Sequence, residues 1–192
     1  MSDLFEEPED ILLDKAPKIA HIINLGIDWD RRVVHLTGEI ESDTGHWFWT
    51  VIERLGKDPI EVHLSTPGGD VDSMYSIHDA IRRHGNITVI AYGQCCSAGV
   101  LILACAHKRI VTESLIWMSH ESTSSTTDLG YRASKDRRKV DDWQHEYWAE
   151  LMSRYTPQDA AWWKRKTERQ AEYWLLGGND VVNAGCADEV IR

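Results

Sequence analysis

Ser97 stands between a β-branched run, Ile87-Thr88-Val89-Ile90-Ala91-Tyr92, and an apolar helical stretch, Val100 to Ala106. It lies in the segment Gly93-Gln94-Cys95-Cys96-Ser97-Ala98-Gly99. A hydroxyl at a strand-to-helix junction sits beside unpaired backbone N–H groups and the positive end of a helix dipole. Those surroundings suit a nucleophile whose attack creates an oxyanion, and equally a serine that only caps a helix. A second strand, Ile60 to Leu64, runs into Ser65-Thr66-Pro67-Gly68-Gly69-Asp70 and then a helical pattern from Asp72. Paired glycines permit positive φ and close approach of a backbone to a ligand, although a lone Pro-Gly-Gly also makes an ordinary turn. Repetition of the strand–turn–helix unit brings both turns to the carboxyl ends of neighbouring parallel strands, the edge where α/β proteins place their sites. His120 closes a further apolar run, Leu115-Ile116-Trp117-Met118. A serine and a histidine within hydrogen-bond reach are what activation of a hydroxyl requires. His35, His63, His78 and His107 fall within or beside predicted elements and read as structural or solvated.

The elements that must position these groups are legible from periodicity. Ile22 to Ile40 is strand-like, and Ser42 or Asp43 caps a helix whose buried stripe is Trp47, Val51, Ile52 and Leu55, with Trp49 off the stripe. Met74, Ile77, His78 and Ile81 mark a helix that ends near Gly85. Arg109-Ile110-Val111 and Leu115 to Met118 are two short strands, and Ser134 to Tyr155 is a long charged helix with Trp143, Tyr147, Trp148 and Met152 at helical spacing. Alternating strands and helices of this kind predict an α/β layered fold with a largely parallel sheet and short right-handed crossovers.

Composition narrows the function classes. The 192 residues carry a net charge of −10, which leaves no basic footprint for nucleic acid and argues against anionic lipid. The longest apolar run is too short to span a membrane. Residues 1–20 read as an acidic, mobile arm and not a leader peptide, and residues 21–192 as one domain. Cys95, Cys96, Cys105 and Cys186 lack C-x-x-C spacing and read as reduced, buried thiols with no metal site, which fits a cytoplasmic location. Neither a Walker A motif nor a dinucleotide fingerprint is present, so no cofactor is expected.

Three motifs in order, Ser65-Thr66-Pro67-Gly68-Gly69, Gly93-Gln94-Cys95-Cys96-Ser97-Ala98-Gly99 and Ile116-Trp117-Met118-Ser119-His120, resemble the proteolytic subunit of Clp proteases, the ClpP family. Weaker similarity runs through Arg32-Val33-Val34-His35-Leu36-Thr37-Gly38-Glu39-Ile40 and Ala184-Gly185-Cys186-Ala187-Asp188. The resemblance implies a ClpP/crotonase-like α/β fold with repeated β-β-α units and a projecting handle helix, the handle region covering about 121–156. It implies a serine endopeptidase with Ser97 as nucleophile, His120 as general base, and the backbone N–H groups of Gly69 and Ala98 as the oxyanion hole. Glu172, in Glu172-Tyr173-Trp174-Leu175, best matches the family's acid position; alignment through Thr167-Glu168-Arg169 puts Gln170 there instead, with Asp180 and Glu168 in reserve. It further implies two stacked heptameric rings that enclose unfolded polypeptides and peptides, fed by a separate ATP-driven AAA+ unfoldase. In the family, residues equivalent to 121–131 lie alongside bound peptide, and the N-terminal segment gates a pore.

Three other readings compete. A silent ring subunit of the same fold would result if the altered acid abolishes catalysis. A crotonase-type acyl-CoA enzyme shares the fold but has no use for the serine–histidine pair. A Ser–Lys peptidase would need a base such as Lys108.

Overall fold

Residues 25–122 and 131–192 are described by the structure, a computed structural model of the chain. The expected 1–20 arm lies outside the described residues, as do positions 123–130 of the hydroxyl-rich stretch.

Strands and helices alternate as the periodicity predicts. Strand β1 (Ile27–Asp28) and β2 (Val33–Thr37) precede helix α1 (Thr44–Leu55); β3 (Ile60–Thr66) leads to α2 (Val71–His84), and β4 (Ile87–Cys96) to α3 (Ala98–Ala104). Then come β5 (Lys108–Thr112), β6 (Ile116–Ser119), α4 (Tyr131–Tyr155), α5 (Ala160–Thr167), a 3₁₀ turn (Glu168–Gln170), β7 (Tyr173–Leu176), α6 (Gly178–Asn183) and β8 (Glu189–Ile191). The sheet runs β1-β2-β3-β4-β5-β8, parallel throughout except for β1 at the edge. Parallel strands need both faces covered, and β3 alternates fully buried with half-buried positions while α3 packs against β3, β4 and β6.

The feature that builds the site is a change of partner along β4. Its first half pairs with β5, Thr88 opposite Lys108 through Ala91 opposite Val111. Its second half pairs with β6, Gln94 opposite Ile116 through Cys96 opposite Met118. Between them Gly93 takes φ +63°, and the β3–β4 register shifts between Leu64 and Thr66. Gly93 to Cys96, expected as a polar turn, are therefore strand: the bulge and the positive φ let the chain bend and keep its ladder. The short antiparallel ladder of β6 with β7 extends this branch of the same eight-stranded sheet.

Core packing corrects one helix face. In α1 the buried residues are Gly45, Phe48, Val51, Ile52 and Leu55, and the expected Trp47 is only partly buried. Phe48 is fully buried because positions 45, 48, 52 and 55 share the face turned to the core. Trp49, off the stripe, lies beneath the Arg83 guanidinium at 5.4 Å from the ring centroid. In α4 the aromatic stripe divides. Trp148 and Met152 are core, whereas Trp143 is 57% exposed and stacks on Tyr147 at 5.1 Å.

The four cysteines are free and buried. Burial pushes the Cys95 and Cys96 thiols up, and that of Cys186 to about 12, so the vicinal pair beside Ser97 holds little thiolate.

Candidate active site

Ser97 occupies the junction of β4 and α3 with φ 52° and ψ −115°, a conformation that L-residues seldom adopt. Its N–H donates to Met118 O (2.8 Å), and its carbonyl accepts from Val100 N–H (3.0 Å). The backbone is thus pinned on both sides. The hydroxyl makes no capping hydrogen bond to α3. Helix capping, one of the two readings open from sequence, does not account for this serine. Strained backbone of this kind costs about 1–3 kcal/mol and persists only where surrounding structure enforces it.

The glycine turn supplies part of that enforcement. Gly68 has φ +109°, and a Cβ placed on it would lie 2.4 Å from Ser97 Cβ and 3.0 Å from Ser97 Oγ. The next residue, Gly69, has φ +143° and passes so close to Ile40 that a Cβ would meet its carbonyl oxygen at 2.2 Å. Two hydrogen bonds, Ile40 N–H to Gly68 O (2.8 Å) and Asp70 N–H to Ile40 O (2.7 Å), fix the turn from outside. They leave the Gly69 N–H outside the pairing. Asp70 then caps α2 by accepting from Ser73 N–H at 2.8 Å. The Ala98 N–H, first in α3, has no intrahelical acceptor. Neither N–H donates to another backbone acceptor among the described residues, so both are available for an oxyanion.

Gly69, Ser97, Ala98 and His120 line one narrow cleft. The ladder of β6 against β4 brings His120 there, because it places the residue after Ser119 beside the end of β4. Its Nδ1 bonds the carbonyl of Glu121 at 2.7 Å. A carbonyl can only accept, so Nδ1 carries the proton and Nε2 is the free basic nitrogen. Val71, Met74, Tyr75 and Trp148 give the cleft its apolar wall.

Glu172 does not join them through its side chain. It is exposed, and its Oε2 accepts from Trp174 Nε1 at 3.0 Å. In the backbone, β6 and β7 pair Ser119 with Tyr173, and one further step in this antiparallel register sets position 172 across from position 120. Asp180 and Glu168 are exposed in α6 and in the 3₁₀ turn, and neither lines the cleft. The side chain of Gln170 lies outside those described.

Sequence reasoning missed His145 and Glu121. His145 lines the cleft from α4; its Nδ1 meets Glu121 Oε1 at 3.1 Å and its Nε2 meets Thr167 Oγ1 at 3.0 Å. The available signal was its place three residues before Trp148 on the buried face of α4. Gln144, its neighbour, is buried and donates to Asp72 Oδ1 at 3.2 Å, while Tyr75 O–H donates to Gln144 O at 2.8 Å. These bonds tie α4 to α2 over the cleft.

Among the described residues there is no cluster of metal-ligating side chains, and no helix is long and apolar enough to cross a membrane.

The Clp protease family model matches residues 25–192. The ATP-dependent Clp protease proteolytic subunit 2 of Treponema pallidum (strain Nichols) is 38% identical over 84 residues, 41% of this chain and 42% of that protein. The chain thus spans less than half the length of this curated relative. Among solved structures, a mutant ClpP1 from Listeria monocytogenes matches with a TM-score of 0.76 over 89% of this chain and 95% of that one, at 24% identity, a likeness of fold. With most of its length matched by the family model, the chain belongs to the Clp protease family, whose members are in general serine peptidases.

Proposed function

We propose that this chain is the proteolytic subunit of an ATP-dependent Clp-type protease, a serine endopeptidase that cleaves unfolded polypeptides and peptides inside a ring-shaped compartment. The observation that carries this reading is the state of Ser97. Its backbone is held in a costly conformation while its hydroxyl caps nothing and faces the cleft shared with His120.

Ser97 Oγ attacks the scissile carbonyl carbon as His120 Nε2 takes the hydroxyl proton. The developing oxyanion accepts from the N–H groups of Gly69 and Ala98, each worth about 10²- to 10³-fold in rate. Collapse breaks the C–N bond, and His120 delivers the proton to the leaving amine. Water then releases the acyl group by the same steps. Val71, Met74, Tyr75 and Trp148 favour an apolar side chain beside the scissile bond. No cofactor takes part in these steps. Stacked heptameric rings, an AAA+ unfoldase partner that uses the ATP, and a cytoplasmic location complete the proposal, on the strength of family membership.

Glu172 is our candidate for the orienting acid, since the β6–β7 register carries it alongside His120. Its present bond to Trp174 Nε1 favours a second reading, a catalytically silent ring subunit that serves as scaffold or regulator. Incubation of the assembled full chain with unstructured casein separates the two. Fragments from the wild type but not from Ser97→Ala support the endopeptidase. Identical, intact casein with both favours the silent subunit.

A further inference from the structure

Among the described residues, one hydrogen bond holds the imidazole of His120, from Nδ1 to the backbone carbonyl of Glu121 at 2.7 Å. The side chain of the same residue is itself engaged. Glu121 Oε1 meets His145 Nδ1 at 3.1 Å, and His145 Nε2 meets Thr167 Oγ1 at 3.0 Å. Thr167 is fully buried, and its hydroxyl also donates to Trp163 O at 3.0 Å. The chain of contacts therefore runs from the end of α5, through α4, to the candidate base. Facing a carboxylate oxygen, His145 Nδ1 is a donor whichever partner the Thr167 proton takes.

We propose that Glu121 and His145 are a positioning pair for His120. Glu121 holds the Nδ1–H tautomer with its carbonyl, and His145 anchors Glu121 by its carboxylate. While the Glu172 carboxylate stays on Trp174 Nε1, they hold the ring in the tautomer and orientation that a carboxylate on Nδ1 would otherwise fix. The carboxylate of Glu121, one residue away, also leaves a negative charge near the imidazolium that forms during attack. This assignment rests on the serine-peptidase reading for its catalytic meaning, but the tautomer of His120 can be read without any reaction.

The test uses the full assembled chain, uniformly ¹⁵N-labelled at histidine, and its Glu121→Ala, His145→Ala and Glu121→Gln variants. Solid-state ¹⁵N spectra, with His120 assigned by His120→Gln, report which ring nitrogen carries the proton. The rate of fluorophosphonate reaction at Ser97 is measured in parallel. The pair predicts a single Nδ1–H tautomer in the wild type, mixed tautomers in both alanine variants, and about 10²-fold slower labelling, the loss that accompanies a misplacement of about 1 Å. Glu121→Gln, whose amide oxygen still accepts from His145, keeps the tautomer. The double alanine variant loses no more than the worse single one, because both act through one path. Unchanged tautomer and labelling in correctly assembled Glu121→Ala and His145→Ala overturn the proposal. A locked tautomer that these variants release, in a wild type that never labels, upholds the positioning pair and refutes the peptidase reading instead.

Discussion

Gly68 offers the sharpest perturbation of Ser97 that leaves the serine itself in place. A Cβ at Gly68 would stand 2.4 Å from Ser97 Cβ and 3.0 Å from both Ser97 Oγ and Cys96 O. Carbon atoms rest about 3.5 Å apart or more, so Gly68→Ala forces a displacement of about 1 Å between the turn and the serine. The turn cannot take all of it, because Gly69 is pressed against Ile40 and hydrogen bonds to Ile40 flank both glycines. A misplacement of that size costs about 10²-fold in rate where geometry governs catalysis. Alanine at φ +109° adds about 1–3 kcal/mol of backbone strain. Gly85→Ala is the control for that strain: its φ is +86° and nothing lies within 4 Å of its would-be Cβ. Fluorophosphonate labelling at Ser97, beside urea unfolding, separates the effects. Both variants lose stability, and only Gly68→Ala loses labelling, by about 10²-fold. If Gly68→Ala, folded and assembled, labels within threefold of the wild type, the steric reasoning about this turn is wrong.

Ser97→Gly relieves about 1–3 kcal/mol of strain against about 0.5–1 kcal/mol of added chain entropy, and no side-chain cap is lost. Its urea midpoint should rise by an amount equal to about 1 kcal/mol while hydrolysis disappears. Arg109 lies 15% exposed and donates to Tyr155 O (2.7 Å) and Gly185 O (3.2 Å) while also pairing with Asp188. Arg109→Ala strands these acceptors and should cost about 2–4 kcal/mol by chemical denaturation, with little recovery in Arg109→Lys, which lacks the fork. Burial lowers the pKa of His78, against the opposing hydrogen bond that its Nδ1 donates to Asp79, and its Nε2 meets Tyr155 O–H at 2.9 Å. A folded-state pKa below the unfolded value means that His78 favours folding fully above about pH 6.5, with the contribution lost as pH falls toward the folded value. Stability should therefore drop as pH falls below about 6.5, with a smaller drop in His78→Gln, the slope differing by at most about 1.4 kcal/mol per pH unit.

The strand–turn–helix units around Gly68-Gly69 and Ser97 were readable because they rest on local chemistry: β-branched runs, paired glycines and a helix starting at Ala98. The Met74-Ile77-His78-Ile81 stripe and its glycine end were equally legible, and Gly85 takes the left-handed cap at φ 86°. The strand character of Gly93 to Cys96 was hidden, since it depends on β6 arriving from later in the chain. Phe48 was overlooked because the bulk of Trp47 drew the helical phase one residue away. The orienting network of His120 was the least legible part. A backbone carbonyl leaves no mark in residue type, and the partners of His145 come from Glu121 and Thr167, on either side of it in the chain. Glu172 was reachable by register, but where its carboxylate turns is decided by Trp174 two residues on.

Reaction of the intact full-length protein with a serine-reactive fluorophosphonate, mapped by peptide mass in the wild type, Ser97→Ala, His120→Ala and Glu172→Ala, tests the central claim most directly. An activated serine predicts one adduct, on Ser97, absent from the histidine variant and weakened in Glu172→Ala if that carboxylate turns to His120 during attack. An assembled oligomer without any adduct, or one whose Ser97 labels equally well without His120, would contradict the claim that this cleft is a working peptidase site.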